Sequence, residues 1–538
     1  MSSRRGHLGF AASVLFAGLA FFLASTSGDA AEIFSMKNGS VITGDVVGEA
    51  NGIISINTEY GIINVPAADI LSRRPAGEGG GSGAADGGGG GGGGGTVASD
   101  QPMRLQGSNT IGSRLIVDLV HEYAIDSGFA ADFVEVQGET QEDKTFTAKN
   151  DEGKTFTIEV GAHGSGTAFT ALAEGKADIG MSSRPVKKEE VDKIEALGLG
   201  KLTDHGLEHV IALDGLAVIV HPDNPVKSLS LKQIADIFAG RITDWSQVGP
   251  FPGAIHVYRR DGKSGTYDTF KTLVMGGEDV TATAKEFESS PDLSATVSGD
   301  ALGIGFIGMA YVLSAKPLAI SQSCGLTTAP SEYSVKTEEY PLSRRLFLYT
   351  TTRQAHPNAG GFVDFALSDK AWDVVKNAGF VDLSLEASGQ GYADEAIRRA
   401  LLLADTRETR LTDLQRFAEL VTHQDGARLS VTFRFDPSSF NLDTRAVPDL
   451  DRLADYLKAA KANKPEMKLV LLGFADSRGS GNANRRLSRQ RAETVAAALG
   501  QRGVTPDLVD GLGELAPVAC DDTDAGLSKN RRVEIWTF

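Results

Sequence analysis

Ala254-Ile255-His256-Val257-Tyr258-Arg259-Arg260-Asp261-Gly262-Lys263-Ser264-Gly265-Thr266-Tyr267 reads as a strand, a tight loop and the first turn of a helix. Ala254 to Tyr258 supplies the strand, and Tyr267, Phe270, Leu273 and Val274 repeat at helical spacing behind the loop. Amide N–H groups at a helix start have no partner inside the helix and carry about half a positive charge. Ser264, Thr266 and a closely approaching Gly265 therefore make an oxyanion cradle, with Arg260 as a fork-shaped counter-charge. The same residues also fit a capped helix beside a surface arginine, so the rest of the chain has to decide.

From Met103 to about Leu385 short apolar runs alternate with amphipathic helical patterns, which is an α/β signature. The cradle occurs in it three times. Gly107-Ser108-Asn109-Thr110-Ile111 precedes the helical run Leu115, Ile116, Leu119, Val120. Gly164-Ser165-Gly166-Thr167 precedes Phe169, Leu172, Ala173. Three converging helix starts are able to replace the whole hydration shell of a small oxyanion.

Two other motifs do not bear their usual meaning. Gly262-Lys263-Ser264 resembles the end of a phosphate-binding P-loop, but Val257 stands where its first glycine belongs. Gly303-Ile304-Gly305-Phe306-Ile307-Gly308 spells a dinucleotide fingerprint, yet neither a polar-capped helix nor a suitably spaced acid follows. Gln137 to Val160, with its Asn150-Asp151-Glu152-Gly153 turn between two Lys-Thr-Phe-Thr repeats, reads as an inserted hairpin.

The domain resembles the PstS-like phosphate-binding proteins of ABC transporters. Three stretches carry the resemblance: Ala173 through Arg184 (AEGKADIGMSSR), Arg260 through Thr266, and Tyr340-Pro341-Leu342-Ser343-Arg344. It implies a type II periplasmic-binding-protein fold, two α/β lobes closing on the anion about a hinge. It also implies Thr110, Ile111, Ser165, Ser183, Arg260, Ser264, Gly265 and Thr266 as the phosphate-binding set. One position departs from the family pattern. The family places an Asp, which accepts from protonated phosphate and repels sulfate, where this chain has Ser183. A serine does not impose that discrimination, so related tetrahedral oxyanions remain alternatives. Arg184 either adds charge to the site or pairs on the surface.

Around this domain, residues 1–31 read as an export signal: Arg4 and Arg5, an apolar run from Leu8 to Ala24, and small residues about Ala30. An uncleaved anchor is the alternative. Residues 32–75 form a small β unit that resembles Sm-like or SH3-like barrels, and 76–100 a linker with nine consecutive glycines, Gly87 to Gly95. The oxyanion domain spans 101–388. A helical connector, read as a structural spacer, fills 389–425, and 426–538 reads β-α-β-α-β. In that last segment Arg491 falls on the apolar stripe of its helix between Leu487 and Val495, where a charge calls for a partner, most simply a carboxylate.

This segment resembles the OmpA-like peptidoglycan-binding domain through Gly473-Phe474-Ala475-Asp476-Ser477-Arg478-Gly479, Asn484-Arg485-Arg486-Leu487-Ser488, Arg491-Ala492 and Asn530-Arg531-Arg532-Val533-Glu534-Ile535. The resemblance implies that Asp476 takes the ammonium and Arg491 the carboxylate of the diaminopimelate stem, with Asn484 in the same site.

A net charge of −17 argues against nucleic acid as a partner. Cys324 and Cys520, the only cysteines, lie in different domains, so no disulfide is expected. The nine histidines show no metal-ligand spacing, and neither metal nor cofactor is expected. The expectation is an extracytoplasmic, non-enzymatic binding protein for phosphate or a similar oxyanion. It would be fixed to peptidoglycan in the periplasm at the cell wall or outer membrane, with an inner-membrane ABC permease as a further partner. A phosphate-ester hydrolase and a structural envelope protein with a degenerate clamp are the alternatives.

Overall fold

One strand, Glu208–Val220, runs through both halves of the oxyanion domain. In this computed structural model, residues 32–36, 41–50, 53–58, 61–67, 70–75 and 101–538 are described, except 130, 141, 263, 390 and 404–409. The expected export signal and glycine linker lie outside the described residues. The chain divides into two compact units, 1–91 and 92–538.

In the first unit, strands Glu32–Met36, Val41–Ala50, Ile53–Thr58, Gly61–Pro66 and Ile70–Pro75 pair antiparallel in the order 4-3-2-1-5. Ile54, Ile56 and Val65 form its core.

In the second unit, the N-terminal half of Glu208–Val220 pairs with Ser343–Tyr349 and the C-terminal half with Gly303–Gly308. The two lobes thus share one twisted sheet. In the first lobe Met103–Gly107 lies parallel to Ile179–Ser182 and Thr155–Gly161. In the second, His256–Arg260 lies parallel to Lys285–Phe287 and Gly303–Gly308. Parallel strands buried on both faces read as continuous apolar runs, and Gly303–Gly308 is buried at all six positions. Its glycines serve packing rather than a nucleotide: a Cβ on Gly305 would stand 2.8 Å from Leu293 Cδ2 in the helix Ser290–Ser298. The expected inserted hairpin belongs to the sheet itself. Thr155–Gly161 pairs with Met103–Gly107, and Asp143–Lys149 and Ala131–Gln137 extend the edge beyond it.

The C-terminal sheet runs Ala427–Arg434, Arg532–Thr537, Leu469–Gly473, Leu508–Gly511. Alternation along the third of these builds two layers. Leu469 and Leu471 face the helices Ala446–Asn463 and Gly481–Gln501. Val470 and Leu472 face Ala396, Ala400, Phe417 and Val421 of the connector helices Tyr392–Leu402 and Leu411–Val421. The connector therefore covers the second face of this sheet and is no free spacer.

The absence of a disulfide is overturned. Cys324 and Cys520 are bonded across 196 residues, with Cα atoms 5.8 Å apart. Sequence distance hid the pairing because the C-terminal domain docks on the oxyanion domain. Beside the bridge, Cys520 N–H donates to Gln322 Oε1 at 2.9 Å and Lys529 Nζ to Tyr340 O at 3.1 Å. Glu339 meets Arg399 at 2.8 Å and also Arg428, and Glu338 meets Arg445 at 2.7 Å.

Candidate functional site

The loops that leave the C-terminal ends of the parallel strands in both lobes face one another, where open α/β sheets bind ligands. Between them is a cavity of about 930 Å³. Thr110, Arg260, Ser264, Gly265 and Thr266, all expected in the oxyanion set, line it, together with Ser113, Arg114, Asp214, Asp261, Glu288, Ser290 and Tyr311.

The strand expected over Ala254 to Tyr258 runs His256–Arg260, two residues later, and the helix is Gly265–Leu273. Ser264 is its N-cap, but its hydroxyl makes no capping bond, so the first-turn amides and this hydroxyl are left for a ligand. Arg260 is aimed from below. Its Nη1 donates to Ser290 Oγ, Nε donates to Phe287 O at 3.3 Å, and Nη2 lies 3.6 Å from Asp261 Oδ2. Burial pulls its pKa below the usual guanidinium value against the attraction of Asp261. Such a half-desolvated cation gains by meeting an anion.

Across the cavity, Thr110 sits in the short helix Asn109–Gly112 of the first lobe and approaches Gly265 so closely that Thr110 Oγ1 lies 3.4 Å from Gly265 O. Ile111 buries its side chain completely in the first lobe's core, so only its backbone is available. Gly107 (φ 145°) lets this loop pass over Met181 O, a place where any Cβ would stand 2.0 Å from that oxygen.

Ser165 and Ser183 are brought together but are not on the cavity wall. Ser183 N–H donates to Ser165 Oγ at 3.1 Å, and the two hydroxyls are 3.3 Å apart. They adjoin the Thr110 loop through Gly164 N–H, which donates to Gly107 O at 2.7 Å. The alternative left open for Arg184 resolves to a surface pair, bidentate to Glu190 at 2.7 and 2.9 Å.

Two residues of the site escape sequence reasoning. Asp214 and Arg344 pair at 3.2 Å in the hinge, and Arg344 Nη2 donates to Thr110 Oγ1 at 2.8 Å. Arg344 ends the motif Tyr340-Pro341-Leu342-Ser343-Arg344, but nothing in that motif identifies its partners.

In the C-terminal domain Asp476, Asn484 and Arg491 cluster, though not as expected. Arg491 is fully buried and its partners are carbonyl oxygens, Ser439 O at 2.9 Å and Asp436 O at 3.1 Å, rather than a carboxylate. Its Nη1 is buried with no hydrogen-bond partner. Burial and the nearby Arg531 lower its pKa to about 10, with Asp476 pulling the other way. Asp476 pairs instead with Arg531 at 2.8 Å. Asn484 Nδ2 donates to Asp476 O at 3.1 Å and to Glu514 Oε1 at 2.7 Å, which fixes the loop.

Fold and site together define a two-lobed solute-binding clamp carrying a C-terminal α/β domain. Residues 138–370 match the model of the PBP superfamily domain, and 434–531 match the OmpA family. Protein SphX of Synechococcus elongatus is 33% identical over 246 residues, 44% of this chain and 71% of that protein. The phosphate-binding protein PstS of Staphylococcus saprophyticus is 30% identical over 304 residues, 52% of this chain and 90% of that protein. A crystal structure of an ABC-type phosphate transport receptor from Vibrio cholerae aligns with 24% identity and a TM-score of 0.39, covering 52% of this chain and 99% of that one. The chain belongs to the PstS family of phosphate-binding proteins and carries a C-terminal OmpA-family domain.

Proposed function

We propose that the protein captures inorganic phosphate between its two lobes while its C-terminal domain fixes it to peptidoglycan in the periplasm, in the service of phosphate uptake or sensing with an inner-membrane ABC permease. The observation that carries this is the convergence of Arg260, the start of the helix Gly265–Leu273 and Thr110 on one cavity. The neutral donors of Thr110, Ser264 and the helix start, beside the Arg260 guanidinium, suit a tetrahedral oxyanion, and Ile111 adds its backbone N–H. Ser165 and Ser183 form the adjoining shelf. The action is binding without turnover, in keeping with relatives that are phosphate-binding proteins.

At the wall, Asp476 takes the stem's ammonium. The unpaired Nη1 of Arg491 takes its carboxylate, and Asn484 holds the Asp476 loop.

Calorimetric titration of the full chain with phosphate, arsenate and sulfate tests the first half. Phosphate is expected to give saturable heat that Arg260→Ala abolishes, and no heat with any of the three would sink the reading. Sedimentation with purified peptidoglycan tests the second half. Arg491→Ala is expected to abolish co-sedimentation and to leave phosphate binding intact.

A further inference from the structure

We propose that Arg344 is a positioning residue for the oxyanion site, a latch set by Asp214 that holds the two ligand-bearing loops in register. The inference rests on the phosphate reading of the cavity and names what keeps its halves together. Arg344 stands on Ser343–Tyr349 directly opposite Asp214 on Glu208–Val220, where the long strand passes from one lobe to the other. Its Nε donates to Asp214 Oδ2 at 3.2 Å. Its Nη2 reaches both lobes at once, donating to Thr110 Oγ1 at 2.8 Å and to Gly265 O at 3.4 Å. Thr269 completes the net: its hydroxyl lies 2.7 Å from Gly265 O and 3.5 Å from Asp214 Oδ2. Asp214 and Thr269 are buried, and the Arg344 side chain is only 12% exposed.

Three physical points make this arrangement more than a buried ion pair. Such a pair contributes little net stability by itself, because desolvation offsets the attraction. Burial indeed pulls the Arg344 pKa below its usual value, against Asp214. What the pair does supply is direction. A planar fork held at Nε by a hinge carboxylate points its Nη2 at one place, which an ammonium on a flexible stem does not do. Second, a guanidinium only donates, so Thr110 Oγ1 accepts from Arg344 and turns its own hydrogen outward, toward Gly265 O or an anion oxygen. Third, Arg344 and Asp214 sit on neighbouring hinge strands, whereas Thr110 and Gly265 belong to opposite lobes. Parting the lobes keeps the ion pair and takes at least one of the two Nη2 contacts away. The latch therefore stabilises the closed clamp selectively.

The test is stopped-flow phosphate binding to the full-length oxidised protein. Arg344→Met is expected to raise koff about ten- to hundredfold, the range for losing a hydrogen bond from a charged donor, and to leave kon within about threefold. Adding Asp214→Asn to that variant is expected to cost little more, because Asp214 acts through the Arg344 fork. Unchanged koff, or losses that multiply in the double variant, overturns the latch. A purely structural Arg344 would lower the melting temperature of the ligand-free protein and leave koff of the folded fraction unchanged. If Arg344→Met does not fold, Asp214→Asn releases the fork at constant shape and is read the same way. If the wild type binds no phosphate, the functional reading falls. The latch is then judged from spin labels at Glu122→Cys and Lys271→Cys, one on each lobe. Arg344→Met is expected to lengthen their separation, and an unchanged distance overturns the proposal.

Discussion

At Gly265 the first peptide of the helix lies so close to the other lobe that a Cβ would stand 2.5 Å from Thr110 Cα and 2.6 Å from Thr110 Oγ1. Alanine is the better helix former by up to about 1 kcal/mol, so Gly265→Ala does not harm its own helix. The clash is with the opposite lobe and is relieved by parting the lobes, at a cost of about 1–3 kcal/mol to the closed form. The variant is expected to melt with the wild type in the absence of ligand and to bind phosphate about ten- to hundredfold more weakly. Titration beside a melting curve checks it, and undiminished affinity would show that these loops do not meet around the ligand. Residues differ in how far they are legible in the sequence, and the reason is range. Arg260 can be read because guanidinium, loop and helix start follow one another along the chain. Asp214 and Arg344 cannot, since 130 residues separate them and neither has a local pattern. Arg491 is half legible: its place on an apolar stripe announces a buried charge, but carbonyl partners have no sequence signature.

The turn between the helix Glu332–Lys336 and the strand Ser343–Tyr349 carries two adjacent acids with opposite loyalties. Glu338, with a left-handed φ of 58°, points to Arg345 at 2.5 Å and Arg445 at 2.7 Å. Glu339 points to Arg399 and Arg428. Burial works to raise both carboxyl pKa values, but the arginines overcome it and hold both well below the ordinary glutamate range. A folded-state pKa below the unfolded one gives stability that is complete above the unfolded value of 4.5 and fades as pH falls beneath it. The melting temperature is therefore expected to drop steeply below about pH 4.5. Glu339→Gln is expected to lower stability at pH 7 by about 3–5 kcal/mol, because it takes the paired acid from buried Arg399 and leaves buried Arg428 with Glu534 alone, and to flatten the acid limb. Melts of both proteins at pH 7 and pH 3 check this; equal curves would mean the cluster holds nothing. Elements of this size are legible where they are long and periodic. The expected helices 447–460 and 484–499 appear as Ala446–Asn463 and Gly481–Gln501. Leu508–Gly511 and Asp524–Asn530 go unseen, because four and seven residues are too few for a period to show. Docking between domains is not legible at all, since a strand arginine such as Arg428 does not reveal an acid 89 residues away.

For the molecule as a whole, the Cys324–Cys520 bridge and the acid–arginine cluster turn two sequence domains into one mechanical body. Separate domains on a free connector would unfold separately, each with its own core. Here the connector helices are built into the C-terminal sheet's second layer, and the cluster joins that sheet to the turn that leads into the hinge strand. The bridge closes 196 residues of chain, a constraint on the unfolded state of about 5 kcal/mol by chain entropy, where measured bridges deliver about 2–4 kcal/mol. The oxidised protein is therefore expected to show a single calorimetric transition for residues 92–538, lowered by several degrees with dithiothreitol or in Cys520→Ser. Because the ion pairs persist without the bridge, the reduced protein is expected to keep its domains docked at neutral pH. Acid and reductant together are expected to split the transition in two. Two separate transitions in the oxidised protein at pH 7 would refute the single body. They would restore a clamp and an anchor that share only a chain, in which a wall-bound C-terminal domain leaves the orientation of the phosphate cavity unspecified. A single transition means that whatever holds the C-terminal domain, peptidoglycan on the function proposed above, also fixes the direction in which the cavity opens.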